Sequence, residues 1–203
     1  MKVNGFEIKP DANLKDSFFE NADLRNADLE GADLRGANLS KARLRNGNFQ
    51  KAQLRGANLE NGDLRGVSFR GADLGNANLT NANFEGADLR NTYFQGANLE
   101  GANLEGIDLR NINFRSANLK GANFQGADLR RANLIETNLQ DALLGAANLK
   151  GALLRGSDLT KANFRNADLS DVDLRNANLK NANLQGANLQ GVKTNEFTEG
   201  LSA

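Results

Sequence analysis

The chain of 203 residues contains no cysteine and no histidine, and its 25 Lys and Arg are balanced by 25 Asp and Glu. The first absence excludes disulfides, thiolate nucleophiles and cysteine-bound metals; the second removes the commonest general base and metal ligand. A formal net charge of zero argues against a strongly polarised electrostatic partner, so nucleic acid is not expected to be one. The chain begins "MKVNGFEIKP", without the apolar stretch of a secretory signal, and no apolar run approaches the length of a membrane span. A cytoplasmic location with no membrane partner is the expectation.

After residues 1–11, one pattern takes over. From Leu14 to Leu189, every fifth residue is Leu (28 times) or Phe (8 times), with no unit skipped. We call these 36 residues the centres. Two residues before each centre lies a small or β-branched residue, Ala in 26 units. The residue immediately before the centre is Asn or Asp in 29 units; Phe18, Arg43, Tyr93, Leu143 and Leu153 are among the exceptions. The two following residues are mostly polar or charged, then Gly or Asn.

A period of five suits neither regular element. A helix turns about 100° per residue, so successive centres would scatter around its cylinder. In a flat strand, five is odd and successive centres would point to opposite faces. The pattern is consistent if the chain bends once every five residues. Ala97 and Leu99 then face inward, Asn98 and Glu100 outward, and Gly101 sits at a corner. Gly and Asn suit such corners because they tolerate left-handed backbone. The single proline, Pro10, precedes the repeats, where its missing N–H interrupts no pairing between coils.

The stretch "ADLRNADLEGADLRGANL", residues 22–39, resembles the pentapeptide-repeat proteins. Their motif is a small residue, Asn or Asp, Leu or Phe, then two variable residues. The resemblance covers residues 12–191 and implies an all-β fold: a right-handed, four-sided parallel β-helix of about nine coils with 20 residues each. At a strand spacing of about 4.8 Å the rod would be roughly 43 Å long. The expected organisation is an N-terminal cap at 1–11 carrying Val3, Phe6 and Ile8, the β-helix at 12–191, and a C-terminal cap or tail at 192–203 carrying Val192, Phe197 and Leu201. Every centre should be buried. A solenoid whose ends are covered in this way should be a monomer or a weak end-to-end dimer.

Chemistry is scarce in this pattern. Carboxylates such as Asp23, Asp28 and Asp33 fall on different sides of the coil and do not converge, so no catalytic residue, metal site or cofactor is expected. Asn38 and Asn78 match the glycosylation acceptor pattern but read as ordinary repeat residues. The one ordered surface feature is a ladder. In a 20-residue coil, Arg70, Arg90, Arg110, Arg130 and Lys150 stack on one side, with Asp88, Asp108 and Asp128 two residues before three of them. Such a ladder can serve a phosphate-bearing or acidic partner, or form a self-neutralising surface network; the parallel Asp ladder favours the second reading.

The chain also resembles the long, regular pentapeptide-repeat proteins abundant in cyanobacteria, many without an assigned role. That implies a non-catalytic scaffold or protein-interaction rod with an unknown partner. The alternative is a DNA mimic binding a type II topoisomerase, as fluoroquinolone-resistance members of the family do. Mimicry needs strong negative potential, and Arg25, Arg35, Arg45, Arg55 and Arg65 after their centres make this chain a poor mimic.

Overall fold

The structure, a computed structural model, describes residues 2–201. Residue i bridges residue i + 20 in parallel register, from Asn13↔Asp33 through to Asp173↔Lys193. Twenty residues therefore complete one coil, and four five-residue sides make it. We number the sides from Leu14 (first), Phe19 (second), Leu24 (third) and Leu29 (fourth).

Each corner is a four-residue turn running from a centre to the small residue of the next unit. In one such turn the Ala102 N–H donates to the Leu99 carbonyl at 3.0 Å. The third residue of the turn has positive φ, as in a type II turn, which favours Gly or Asn there. Every fifth residue from Asp11 to Gly191 adopts this conformation, with φ between 53° and 71°. The side chain does not decide it: Lys41, Lys51, Arg131, Glu136, Ala146 and Lys161 are held there as firmly as Gly101.

Between coils the backbone pairs continuously. The Leu99 N–H donates to the Asn118 carbonyl (2.7 Å), the Asn98 N–H to the Ala77 carbonyl (2.9 Å), and the Gly101 N–H to the Lys120 carbonyl (2.9 Å). Every centre from Leu14 to Leu179 is at most 2% exposed. Ala at the second inward position leaves room for those large side chains at native packing density. Where Ser or Thr replaces it, the hydroxyl donates to a backbone carbonyl: Ser17 Oγ to Leu14 (2.6 Å) and Thr137 Oγ1 to Leu134 (2.7 Å) within their own turns, Thr92 Oγ1 to Phe69 (2.9 Å) in the preceding coil. In mid-rod the rings of Phe49, Phe69, Phe84, Phe94, Phe114 and Phe124 form a continuous string, with successive centroids 5.2–6.4 Å apart.

The pairing has a seam. The N–H groups of Gly86, Leu89, Asn91, Asp108 and Asn113 lack the coil-to-coil bonds their equivalents make, and Asp88 and Asp108 do not bridge. Here Ile107 and Ile112 occupy inward positions that hold Ala in 26 of the 36 units and nowhere else a residue as large. We attribute the missing bonds to their extra bulk, buried at 5% and 3% exposure.

The two ends differ. At the start, β1 (Lys2–Val3) and β2 (Phe6–Glu7) pair antiparallel. Asn4 and Gly5 between them both have positive φ (51° and 85°), the two-residue turn that "NG" specifies. Phe6 meets Phe19 edge-on at 5.4 Å, and Ile8 is buried. At the other end, Lys193 pairs with Asp173 in the regular step, but Glu199 pairs with Asn178, a step of 21. Asn195 and Thr198 bridge the irregular stretch: Asn195 Oδ1 accepts the Asn176 N–H (3.0 Å) and Thr198 Oγ1 donates to the Leu174 carbonyl (3.1 Å). Gly200 then passes so close to the Leu179 backbone that a Cβ would collide with it. This segment covers the first and second sides of the last coil. Leu184 and Leu189, on the third and fourth, are only half-buried. The expectation that every centre is buried therefore fails at these two, over which no further coil lies among the described residues.

Candidate functional site

The five N–H groups of a unit explain how the outward side chains are held. Three bond to neighbouring coils and one closes the turn. The fifth, on the residue after the centre, has no backbone partner. The Asn or Asp before the centre supplies one: Asn78 Oδ1 accepts the Thr80 N–H (3.2 Å) and Asn118 Oδ1 the Lys120 N–H (3.3 Å). At Asn38 and Asn78 the same oxygen also accepts the hydroxyl of Ser40 or Thr80, so both glycosylation-like motifs are engaged inside their own units.

Where the sequence reads Asp-Leu-Arg, the arrangement becomes a fork. Asp108 Oδ1 accepts the Arg110 backbone N–H (3.2 Å) and Nε (2.8 Å), and Oδ2 accepts Nη2 (2.7 Å). The same fork forms at Asp23–Arg25, Asp33–Arg35, Asp63–Arg65, Asp88–Arg90, Asp128–Arg130 and Asp173–Arg175. In each, hydrogen bonds from the arginine hold the aspartate below the usual carboxylate range, reaching about 2 for Asp23.

The expected ladder of Arg70, Arg90, Arg110, Arg130 and Lys150 lies on the fourth side, where the register brings residues 20 apart together. Its three middle members are clamped by their own aspartates, and Arg110 Nε also stands 3.7 Å from Asp128 Oδ2. Arg70 and Lys150 have Ser68 and Asn148 in the place of that aspartate. The centre of the ladder is thus charge-compensated by its own aspartates, while at one end Lys150 reaches Asp171 at 3.9 Å.

A feature the sequence reading missed lies on the first side. The residue after the centre is long and polar in most coils there, but in one it is Gly75. Gly75 carries ordinary φ, so its backbone does not require glycine. A Cβ would stand 2.7 Å from Arg55 Nη1 and 3.0 Å from Asp73 Oδ1. The result is a notch of about 360 Å³ between Arg55 and the exposed ring of Tyr93, with Asp73 at its base. Gly75 and Tyr93 were visible as two departures from the repeat one coil apart. Among the described residues no group of three or more His, Cys, Asp or Glu is arranged to hold a metal ion, and no helix is long and apolar enough to cross a membrane.

The family model described as pentapeptide repeats matches in eight copies running from residue 11 to residue 193. Among solved structures, the chain is similar to HetL, a pentapeptide repeat protein involved in heterocyst differentiation regulation in the cyanobacterium Nostoc sp. strain PCC 7120. The two are 31% identical over 92% of this chain and 86% of that one, with a TM-score of 0.45. It is also similar to QnrB1, a plasmid-mediated fluoroquinolone resistance protein: a trypsin-treated form is 22% identical over 79% of this chain and 86% of that one, with a TM-score of 0.62. A thylakoid-lumen pentapeptide repeat protein of Arabidopsis thaliana is 34% identical over 58% of this chain and 68% of that one, with a TM-score of 0.32. No curated protein matches.

Proposed function

Since the chain belongs to the pentapeptide-repeat family and is a right-handed four-sided β-helix, we propose that it is a non-catalytic interaction rod that binds a protein partner through its outer sides. The division of the chain supports this reading. Large apolar side chains fill the interior from Leu14 to Leu179, while the outward side chains stand in columns fixed by the coil. A surface so rigid loses little conformational entropy on binding. Affinity capture from the native host's lysate, followed by titration of the purified captured protein, tests it. Substitution of outward residues on one side should weaken that complex while leaving the melting temperature unchanged. A complex insensitive to substitution on every side, or turnover of a substrate by the purified rod, would overturn the reading.

The topoisomerase alternative draws no support from the surface. The likeness to QnrB1, at 22% identity, concerns the coil, and the Asp–Arg forks leave the sides locally neutral rather than negative. We expect no inhibition or drug protection of DNA gyrase in a supercoiling assay; either effect at low micromolar protein would promote the alternative.

A further inference from the structure

Charged side chains at the corners follow a spatial rule. A corner residue reaches diagonally to the residue 21 positions earlier, which follows a centre in the preceding coil. Lys41 thus meets Glu20 (3.6 Å), Lys51 meets Glu30 (3.3 Å), Glu136 meets Arg115 (3.3 Å) and Asp171 meets Lys150 (3.9 Å). In each the signs are opposite. Arg131 breaks the rule, since the residue 21 positions before it is Arg110.

The surroundings do not compensate it. Arg131 makes no ion pair among the described residues. With Arg110, Arg130 and Lys150 it lines an open cleft of about 600 Å³ between the fourth-side ladder and the adjoining corner column. Asp108 and Asp128 hold Arg110 and Arg130 through Nε and Nη2, leaving each Nη1 without a partner among the described residues. Asp171, the one carboxylate lining the cleft, stands at its far end beside Lys150. Arg131 is moreover held at φ 57°, a conformation that disfavours side chains with a Cβ. The position therefore sets a guanidinium without an ion pair among the described residues beside Arg110, whose own charge is taken up by Asp108.

We propose that the cleft between Arg110 and Arg131 is an oxyanion site that takes a phosphate group. A phosphate fits better than a single carboxylate because it brings three acceptor oxygens and up to two negative charges to the two guanidinium groups. Lys150 supplies a further positive charge at the rim. The site asks for the phosphate alone, whether it arrives as a free anion or on a phosphorylated side chain.

Calorimetric titration at low ionic strength tests this, with inorganic pyrophosphate in one arm and a phosphoserine peptide beside its unphosphorylated form in the other. Binding of either phosphate ligand supports the site. Tighter binding of the phosphopeptide identifies a carried group, and tighter binding of pyrophosphate a free one. The decisive variant is Arg131→Gly, which should weaken binding about tenfold or more while the melting temperature holds or rises, because the corner strain is relieved. Asp171→Asn should tighten binding several-fold. Lys120→Gln, on another side, should leave it unchanged. Absence of binding by both ligands would overturn the proposal. So would equal weakening by Lys120→Gln and Arg131→Gly, which would show only diffuse attraction.

Discussion

Asparagine and aspartate recur before the centres because their side-chain oxygen completes the hydrogen bonding of the unit. The amide two residues later faces no backbone acceptor, and the carboxamide or carboxylate turns back to it. The unit of Leu143 shows what happens without that oxygen. The Gly145 N–H has no partner among the described residues, and Leu143 itself is exposed. In the same unit, Ala146 occupies the left-handed corner at φ 54°. Leu143→Asn should therefore stabilise the rod by about 0.5–1 kcal/mol through the restored bond. Ala146→Gly should add roughly 0.5 kcal/mol, the relieved corner strain being partly offset by the greater freedom of an unfolded glycine. Thermal denaturation of the two single variants checks both, and a fall in melting temperature for either contradicts its half of the argument. The core gives the opposite contrast. Leu104→Asp should unfold the coil around it, since the carboxylate would be buried without a partner, whereas Glu105→Gln should be nearly silent; equal losses in melting temperature would refute the inward and outward assignment. The inward positions and the corners were legible from the period alone. The duty of Asn and Asp was not, because an outward polar residue has the same sequence signature whether it faces water or caps an amide. Only the path of the coil shows which amide is left over.

At the scale of the coil, the seam shows how a departure that is plain in sequence acquires an effect only in three dimensions. Ile107 and Ile112 stand out as β-branched residues in an Ala position. The amides left without their bonds beside them include Leu89 and Asn91 of the preceding coil, about 20 residues away in sequence. The consequence is measurable by hydrogen exchange, since an amide without a native partner needs no opening event to exchange. Leu89 and Asn91, whose amides lie at the seam, should exchange at least about tenfold faster than Leu109 and Asn111, which donate to Asp128 and Arg130 at 2.8 and 3.0 Å. Ile107→Ala should slow exchange at Leu89 by letting the coils close. Equal protection at these four amides would mean that the coils are in fact paired through the seam. The N-terminal hairpin teaches the same lesson from the other direction. "VNGF" carries a local turn signal sufficient by itself, yet its meaning as the place where Phe6 reaches Phe19 depends on the coil beneath it.

For the whole molecule, zero net charge is in large part the sum of local pairings. Seven Asp–Arg forks spread along the rod carry much of that balance, and they make its stability depend on pH. Folding lowers the pKa of each of these aspartates, chiefly through the arginine hydrogen bonds, from 3.8 to about 2 in the case of Asp23. A group whose pKa is depressed by folding stabilises the native state above its unfolded value, and that contribution disappears as pH falls through the folded one. The melting temperature should therefore stay level from neutrality down to about pH 4 and fall between about pH 4 and 2. Because the forks are separate, neutralising one should matter little. Asp108→Asn should lower the melting temperature slightly at pH 7, and less at high salt, since exposed pairs contribute roughly 0–1 kcal/mol and are screened. Asp173 should be the exception among the seven: it is only 5% exposed and lies 3.6 Å from Arg155 Nε as well as in its fork with Arg175. Asp173→Asn, measured at pH 7 beside Asp108→Asn, should show the larger loss and the weaker salt dependence, because a charge pair shielded from water is shielded from salt too. A melting temperature indifferent to acid down to pH 2, or equal salt responses of the two variants, would show that the forks follow the fold without supporting it.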